Sequence, residues 1–140
     1  MIRDVLLKDF TLHEVYETKN CTFWFYDVLC WFEAKEEVLF TLEGYVDEML
    51  VRFDKYYNNQ PIPFISNRIN TYSFNLLDSV KFPEFIMISC FMTICYGDAD
   101  VLHAKFAKQF WKKPFIILES PKKAVEYLTE ALKSPATICK

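Results

Sequence analysis

The stretch that decides the fold is "PFISNRINTYSFN", residues 63–75. An apolar run beginning at Ile62 stops at Ser66, and a polar cluster without glycine follows it. A short apolar run with such a border is typical of a buried strand in an α/β sheet. Ligands of open α/β sheets usually bind at loops that follow the carboxyl ends of strands. The sequence therefore predicts a buried strand over 62–66 and a candidate binding loop directly after it.

The candidate binding loop consists of Asn67, Arg68, Asn70, Tyr72 and Ser73. In a functional interpretation, the planar guanidinium of Arg68 holds a phosphate or a carboxylate through two parallel hydrogen bonds. In a structural interpretation, Asn67 and Asn70 satisfy the loop backbone through Asx turns or left-handed positions, and Arg68 pairs with a helix carboxylate. Both interpretations are open at the level of the sequence.

On the amino side of this loop, the patterns predict strands followed by one helix. An edge strand is predicted over 10–16. Aromatic and β-branched residues over 21–26 and 28–32 predict either a hairpin or one long bent strand. Apolar residues spaced along one helical face predict an amphipathic helix from Thr41 to the Asn58-Asn59-Gln60-Pro61 break.

On the carboxyl side, strands and helices alternate. A buried strand is predicted over 85–95, and a short one over 114–118. The helix between them should begin at Asp98 as N-cap. The last helix should be capped by Ser120, with Pro121 at its first position. The residues predicted to face inward are Ala99, Leu102, Phe106 and Phe110 in the first of these helices, and Ala124, Val125, Leu128 and Leu132 in the second.

This alternation predicts an α/β domain with a mixed sheet. An antiparallel hairpin should open the sheet, parallel strands should follow, and helices should pack on it. The length of 140 residues fits one domain, with 134–140 as a loose tail.

The candidate binding loop resembles a motif of small, uncharacterised STAS-like proteins of Bacteroidetes bacteria. In those proteins N-R-x-N-S-Y-S follows a strand, and a K-x-F or K-P-F strand precedes the last helix. All five residues of the loop match, Thr71 replaces the expected serine, and Lys113-Pro114-Phe115 supplies the second motif. The resemblance extends over about residues 10–132 and implies a SpoIIAA-like fold.

The resemblance also implies a function. STAS domains are regulatory or binding modules without catalysis of their own, and in anti-sigma-factor antagonists a serine after a strand is phosphorylated. This chain lacks their D-S-S-G motif, so Ser73 is the nearest candidate for phosphorylation and Ser79 the next. The expected function is a non-enzymatic regulatory or protein-interaction module that binds a protein partner or itself. The alternative is a small-molecule or lipid-binding protein with an apolar pocket between helix and sheet.

No motif of the sequence predicts catalysis, a metal or another cofactor. The two histidines, His13 and His103, lie in no metal-ligand spacing and suggest no catalytic triad. The two glycines, Gly44 and Gly97, form no phosphate-binding pattern. The carboxylates at Glu33, Glu36 and Glu37 fit a solvated loop before a helix better than acid–base work.

Charge and aromatic content bear on partners. Residues 1–60 hold 6 basic and 12 acidic side chains, whereas residues 101–140 hold 8 and 3. Such polarity can guide docking or self-association, or it can arise from separate acidic and basic helices. The acidic balance argues against nucleic acid. The aromatic residues over 23–32 exceed what one hairpin should bury, so part of them is expected to meet a partner or a ligand.

The remaining features concern compartment. No apolar run approaches the roughly 20 residues that cross a bilayer, and no secretory signal precedes residue 10. The five cysteines form no C-x-x-C pair and mostly sit in apolar runs, as buried free thiols do. The sequence therefore predicts a cytoplasmic protein.

Overall fold

The structure is a computed structural model that describes residues 2–36, 39–40, 45–70, 73–74, 88–111 and 113–133. Its elements, in chain order, are α1 (Ile2–Leu6), β1 (Leu12–Glu17), β2 (Cys21–Tyr26), β3 (Cys30–Ala34), β4 (Leu39–Phe40), α2 (Val46–Tyr57), β5 (Ile62–Asn67), β6 (Ser73–Phe74), β7 (Ile88–Ile94), α3 (Asp98–Lys108), β8 (Phe115–Leu118) and α4 (Pro121–Lys133).

The main sheet has six strands in the order β1-β2-β3-β5-β7-β8. The first three strands pair antiparallel, and every later pairing is parallel. This confirms the predicted mixed α/β sheet, and it shows that residues 21–34 form a hairpin rather than one bent strand. The parallel strands β3, β5 and β7 end at Ala34, Asn67 and Ile94. We call this end of the sheet the carboxyl edge and the opposite end the amino edge.

One face of the sheet is covered by α2. Alternate residues of a strand point to opposite faces, and Phe23, Phe25 and Phe32 form one cluster with Met49 and Phe53 of the helix. Helix α2 ends as predicted at the asparagine pair, because Asn58 takes the left-handed conformation with φ 51°. Of its predicted start, 41–44 lies outside the described residues.

The other face is covered by α1 and α4. Trp24 and Trp31 pack there with Leu7, Ala124 and Leu128. The Ser120 Oγ accepts a hydrogen bond from the Lys123 backbone N–H at 3.2 Å, so the predicted cap of the last helix is confirmed. The sequence did not predict α1, which is too short to show a periodic pattern.

Burial of the aromatic hairpin differs from the prediction. All the aromatic side chains of β2 and β3 are buried: Phe23, Trp24, Phe25, Tyr26, Trp31 and Phe32. Helices on both faces of the sheet cover these side chains, and the sequence of the hairpin alone does not indicate that covering. The hairpin is therefore core, and the prediction that part of its aromatic surface meets a partner is wrong.

Helix α3 is rotated relative to the prediction. Ala104 is its buried residue, and it packs with Cys95 and Phe115. The predicted inner residues Leu102, Phe106 and Phe110 are instead 71%, 51% and 40% exposed, and Ala99 is exposed too. Gly97 rather than Asp98 is the N-cap, and no side chain caps the helix. The apolar pattern located the helix correctly but assigned its inner side wrongly.

Helix α2 is tied to the edge strand β1 by polar contacts. The Glu14 carboxylate accepts hydrogen bonds from Arg52 Nε at 3.0 Å and from Tyr56 Oη at 2.6 Å. The Arg52 guanidinium carbon also lies 3.8 Å from the ring centroid of Tyr16. These contacts fix the outermost strand against the helix.

Two further features of the described residues agree with the sequence. Cys21, Cys30, Cys90 and Cys95 are buried free thiols, as predicted, whereas Cys139 lies outside the described residues. Among the described helices, none has the length and apolar character needed to span a membrane.

Candidate functional site: a polar cluster at the carboxyl edge

The candidate site starts from a buried carboxylate at the end of β3. Glu33 is 7% exposed, although the sequence predicted a solvated loop there. Its Oε2 accepts a hydrogen bond from Trp31 Nε1 at 2.9 Å, because residues two apart on a strand share a face. A buried carboxylate is stable only where donors satisfy it, and the indole N–H is the first of these.

Asn67 supplies the second donor and extends the network. Its Nδ2 donates to Glu33 Oε2 at 2.9 Å, and its Oδ1 accepts from Tyr96 Oη at 2.5 Å. Parallel pairing brings β3, β5 and β7 side by side, so residues far apart in sequence meet at one edge. The amide of Asn67 thus joins the ends of all three strands.

The two loop asparagines do not take the left-handed backbone position that the structural interpretation allowed, and an Asx turn at Asn70 would use residues 71 and 72, which lie outside the described residues. Among the described residues other than glycine, positive φ occurs at Asn58 and Asn59, not at Asn67 or Asn70. Asn70 Nδ2 donates to the carbonyl oxygen of Ala34 at 3.2 Å. Both loop asparagines therefore donate hydrogen bonds to groups of the neighbouring strand β3.

Arg68 is buried and joins the loop to α3. It is 7% exposed, and its Nε donates to Asp100 Oδ1 at 3.3 Å. Its backbone N–H also bonds to the carbonyl oxygen of Ile94 at 3.1 Å. Pairing with a helix carboxylate is what the structural interpretation expected of Arg68.

Two titratable side chains near Arg68, His103 and Cys95, have pKa values shifted toward the neutral form. Burial lowers the pKa of the half-buried His103, and the positive charge of Arg68 lowers it further. Burial raises the pKa of the Cys95 thiol. A neutral thiol is a poor nucleophile. Within the described ranges, no group of His, Cys, Asp or Glu could hold a metal ion.

The structure brings together three of the five predicted site residues, Asn67, Arg68 and Asn70. Tyr72 lies outside the described residues, and Ser73 is described as a backbone position in β6, opposite Leu39 of β4. Sequence reasoning missed Tyr96 and Asp100 and misjudged Glu33. The Trp-x-Glu spacing on one strand was the available signal for Glu33, because it places an indole donor beside the carboxylate.

No protein-family model matches the chain, and a comparison with curated proteins found no match. Among solved structures, the chain is similar to an uncharacterised protein of the DUF3478 family with a SpoIIAA-like fold from Shewanella loihica PV-4. The TM-score is 0.52 and the sequence identity 14%, and the match covers 85% of this chain and 94% of that chain. The relation to proteins of Bacteroidetes stays a prediction. The strand order and this likeness together establish a SpoIIAA-like α/β fold for the chain.

Proposed function

We propose that the protein is a non-enzymatic, STAS-like protein-interaction module that binds an apolar and acidic segment of a partner protein on α3. The observation behind the proposal is the row of exposed apolar side chains Leu102, Phe106 and Phe110. Leu102 and Phe106 lie four residues apart on the helix and are therefore neighbours on its surface. Phe110 follows two residues after the helix ends at Lys108, and its ring meets that of Phe106 at a centroid distance of 5.4 Å. We call these three residues the α3 stripe.

Exposed apolar side chains in a contiguous group commonly mark a protein-binding surface. The α3 stripe is the side of the helix opposite Ala104, which packs on the sheet. Fully burying an exposed aromatic side chain contributes about 1.5–3 kcal/mol, and roughly half of this remains for Phe106 and Phe110, which are 51% and 40% exposed. A partner that covers the stripe would gain this energy, which folding of the chain itself leaves unused.

Charge favours an acidic partner. Lys105 and Lys108 are exposed on the same helix, beside the α3 stripe. An amphipathic helix with an apolar face and flanking carboxylates would match both the stripe and these ammonium groups. The excess of basic residues over 101–140 extends the same polarity.

The candidate binding loop is tied to the helix that carries the α3 stripe. The ion pair between Arg68 and Asp100 holds the loop to the first turn of α3. Ile69 and Tyr96 are exposed at the carboxyl edge next to that pair. Arg68 therefore supports the surface from beneath, and the exposed residues around it are the ones available for contact.

Phosphorylation at Ser73 is part of the proposal. A phosphate adds a charge of about −2 and attracts guanidinium groups, so it would change the loop that positions α3. Mass spectrometry of the protein purified from its native host tests this point: an added phosphate mapped to Ser73 supports it, and full occupancy of the unmodified peptide contradicts it.

Site-specific photocrosslinking tests the main proposal. A photoreactive phenylalanine analogue replaces Phe106, and the matched control carries it at Val51, an equally apolar and exposed position on α2. The crosslinked peptide is identified by mass spectrometry and then synthesised. We expect one apolar, acidic segment to crosslink from position 106 and not from position 51.

The synthetic peptide then gives the quantitative result. Phe106→Ala should weaken its binding on the order of tenfold, as loss of an aromatic anchor does, and Val51→Ala should not. Crosslinks to a second copy of the chain would replace the proposal with self-association. Crosslinks without preference for position 106, or a peptide that binds both variants alike, would overturn it.

A further inference from the structure

The amino edge of the sheet contains an open cavity of about 450 Å³. The hairpin turn between β2 and β3, the loop from α2 into β5, the start of β7 and the last turn of α4 surround it. This volume lies within the usual range of about 300–1,000 Å³ for small-molecule pockets. The cavity lies at the opposite end of the parallel strands from the polar cluster.

Rings make up much of the cavity wall. Tyr56, Tyr57, Pro61 and Pro63 line it. The Tyr57 ring is fixed, because it is buried and its hydroxyl donates to the carbonyl oxygen of Leu29 at 2.9 Å. A rigid wall of this kind needs little reordering when a ligand enters, which lowers the entropic cost of binding.

The charge of the lining is negative. Asp27 is exposed and lines the cavity, and none of the described lining residues is Lys or Arg. Tyr56 and Tyr57 are also the last residues of α2, whose C-terminus is capped at Asn58. The C-terminal end of a helix has a partial negative charge of about half an elementary charge. The Asp27 carboxylate and the C-terminal end of α2 therefore both attract a positively charged group.

The chain itself shows a cation at one of these rings. The ammonium of Lys55 lies 5.2 Å from the ring centroid of Tyr56, within the range of a cation–π contact. Lys55 is exposed and does not line the cavity. Tyr56 therefore already takes part in one cation–π contact, on the outside of the cavity.

We propose that this cavity binds a small organic cation, a protonated or quaternary ammonium on an apolar body. The apolar body would lie against the proline and tyrosine rings. The ammonium group would lie near Asp27, where the carboxylate and the C-terminal end of α2 both favour a positive charge. The site is independent of the α3 stripe and of the protein-interaction function proposed above.

Three ligands of similar shape but different charge test the inference. Benzyltrimethylammonium, benzyl alcohol and phenylacetate are titrated into the full chain and followed by calorimetry and by NMR shifts of the tyrosine rings. We expect saturable binding of benzyltrimethylammonium with shifts at Tyr56 and Tyr57, weaker binding of the alcohol and none of phenylacetate.

Paired variants locate the charge. Asp27→Asn should weaken binding of benzyltrimethylammonium about fivefold, the size expected for a partly exposed ionic contact. Glu119→Gln removes an exposed carboxylate just past the end of β8, away from the amino edge, and should leave binding unchanged. Circular dichroism establishes that both variants fold. Equal weakening by the two variants, binding of phenylacetate as tight as that of the cation, or absence of saturable cation binding would each overturn the inference.

Discussion

Removal of the Glu33 carboxylate should destabilise the fold strongly, because two buried donors depend on it. Trp31 Nε1 and Asn67 Nδ2 both donate to Glu33 Oε2 at 2.9 Å. Trp31 is fully buried and Asn67 nearly so. Leaving a buried donor unsatisfied costs about 1–3 kcal/mol, so Glu33→Ala should lower the free energy of unfolding by about 2–6 kcal/mol.

Glu33→Gln separates hydrogen bonding from charge. The glutamine carbonyl oxygen can accept from both donors, and what is lost is the extra strength of a charge-assisted bond. We expect a loss of about 1 kcal/mol for this variant, well below that of the alanine variant. Glu36→Ala is the control, since Glu36 is an exposed carboxylate three residues along the chain; surface substitutions of this kind change stability by about 0.5 kcal/mol or less.

Urea denaturation at neutral pH measures all three variants, with tryptophan fluorescence and far-ultraviolet circular dichroism as probes. The two probes should give coincident transitions, and the denaturant slope should not change between variants. If Glu33→Ala costs less than about 1 kcal/mol, or if Glu33→Gln costs as much, the carboxylate is not the shared acceptor and the network described for the carboxyl edge is wrong.

Four further predictions concern stability and reactivity. Hydrogen bonding from Tyr56, together with Arg52, lowers the pKa of Glu14 below its ordinary value of 4.5; its stabilising contribution is therefore present above that pH and lost as pH falls through the lower folded-state pKa. Glu14→Gln should lose about 0.5–1.5 kcal/mol at pH 7 and approach the wild type in denaturation curves as the pH falls through the folded-state pKa of Glu14, and a constant gap would contradict this. Phe53→Ala, at a fully buried position, should cost about 3–5 kcal/mol, and a small loss would mean that α2 does not pack on the sheet as described. Burial raises the pKa of the Cys30 thiol, so a disulfide reagent should modify it only at the rate of unfolding, and fast modification in native buffer would contradict its burial. Arg68→Ala should cost about 1–3 kcal/mol because it leaves Arg68's partner carboxylate unpaired, and wild-type stability would assign Arg68 to binding alone.

The sequence predicted correctly those strands and helices whose local residue pattern has a single physical explanation. The strand at 62–66 and the helix that starts at Pro121 are examples. The first is apolar and ends at a polar border, and the second combines a serine cap with proline at a position that needs no N–H donor. Such signals depend only on residues that are close together in the chain, so they can be read from a single sequence.

Tertiary context decided what the sequence could not. In α3, Leu102 and Phe106 form a better apolar stripe than the small residue Ala104, yet only a small side chain allows the helix to lie close to Cys95 and Phe115. For Glu33, burial depends on Asn67, which lies 34 residues further along the chain. Periodicity records how apolar a helix side is, not which neighbour it meets.

The strand order of the main sheet also bears on how the chain folds. The six strands of the main sheet lie side by side in the same order in which they occur along the chain. The sheet can therefore extend from one side as the polypeptide leaves the ribosome. Helix α1 is the exception, because Leu7 just after it packs with Ala124 and Leu128 of α4. The contact between Leu7 and α4 therefore forms only after α4 is made, whereas Arg3 of α1 already donates to Tyr26 Oη of β2 at 2.6 Å. We expect this long-range closure to be among the latest events of folding.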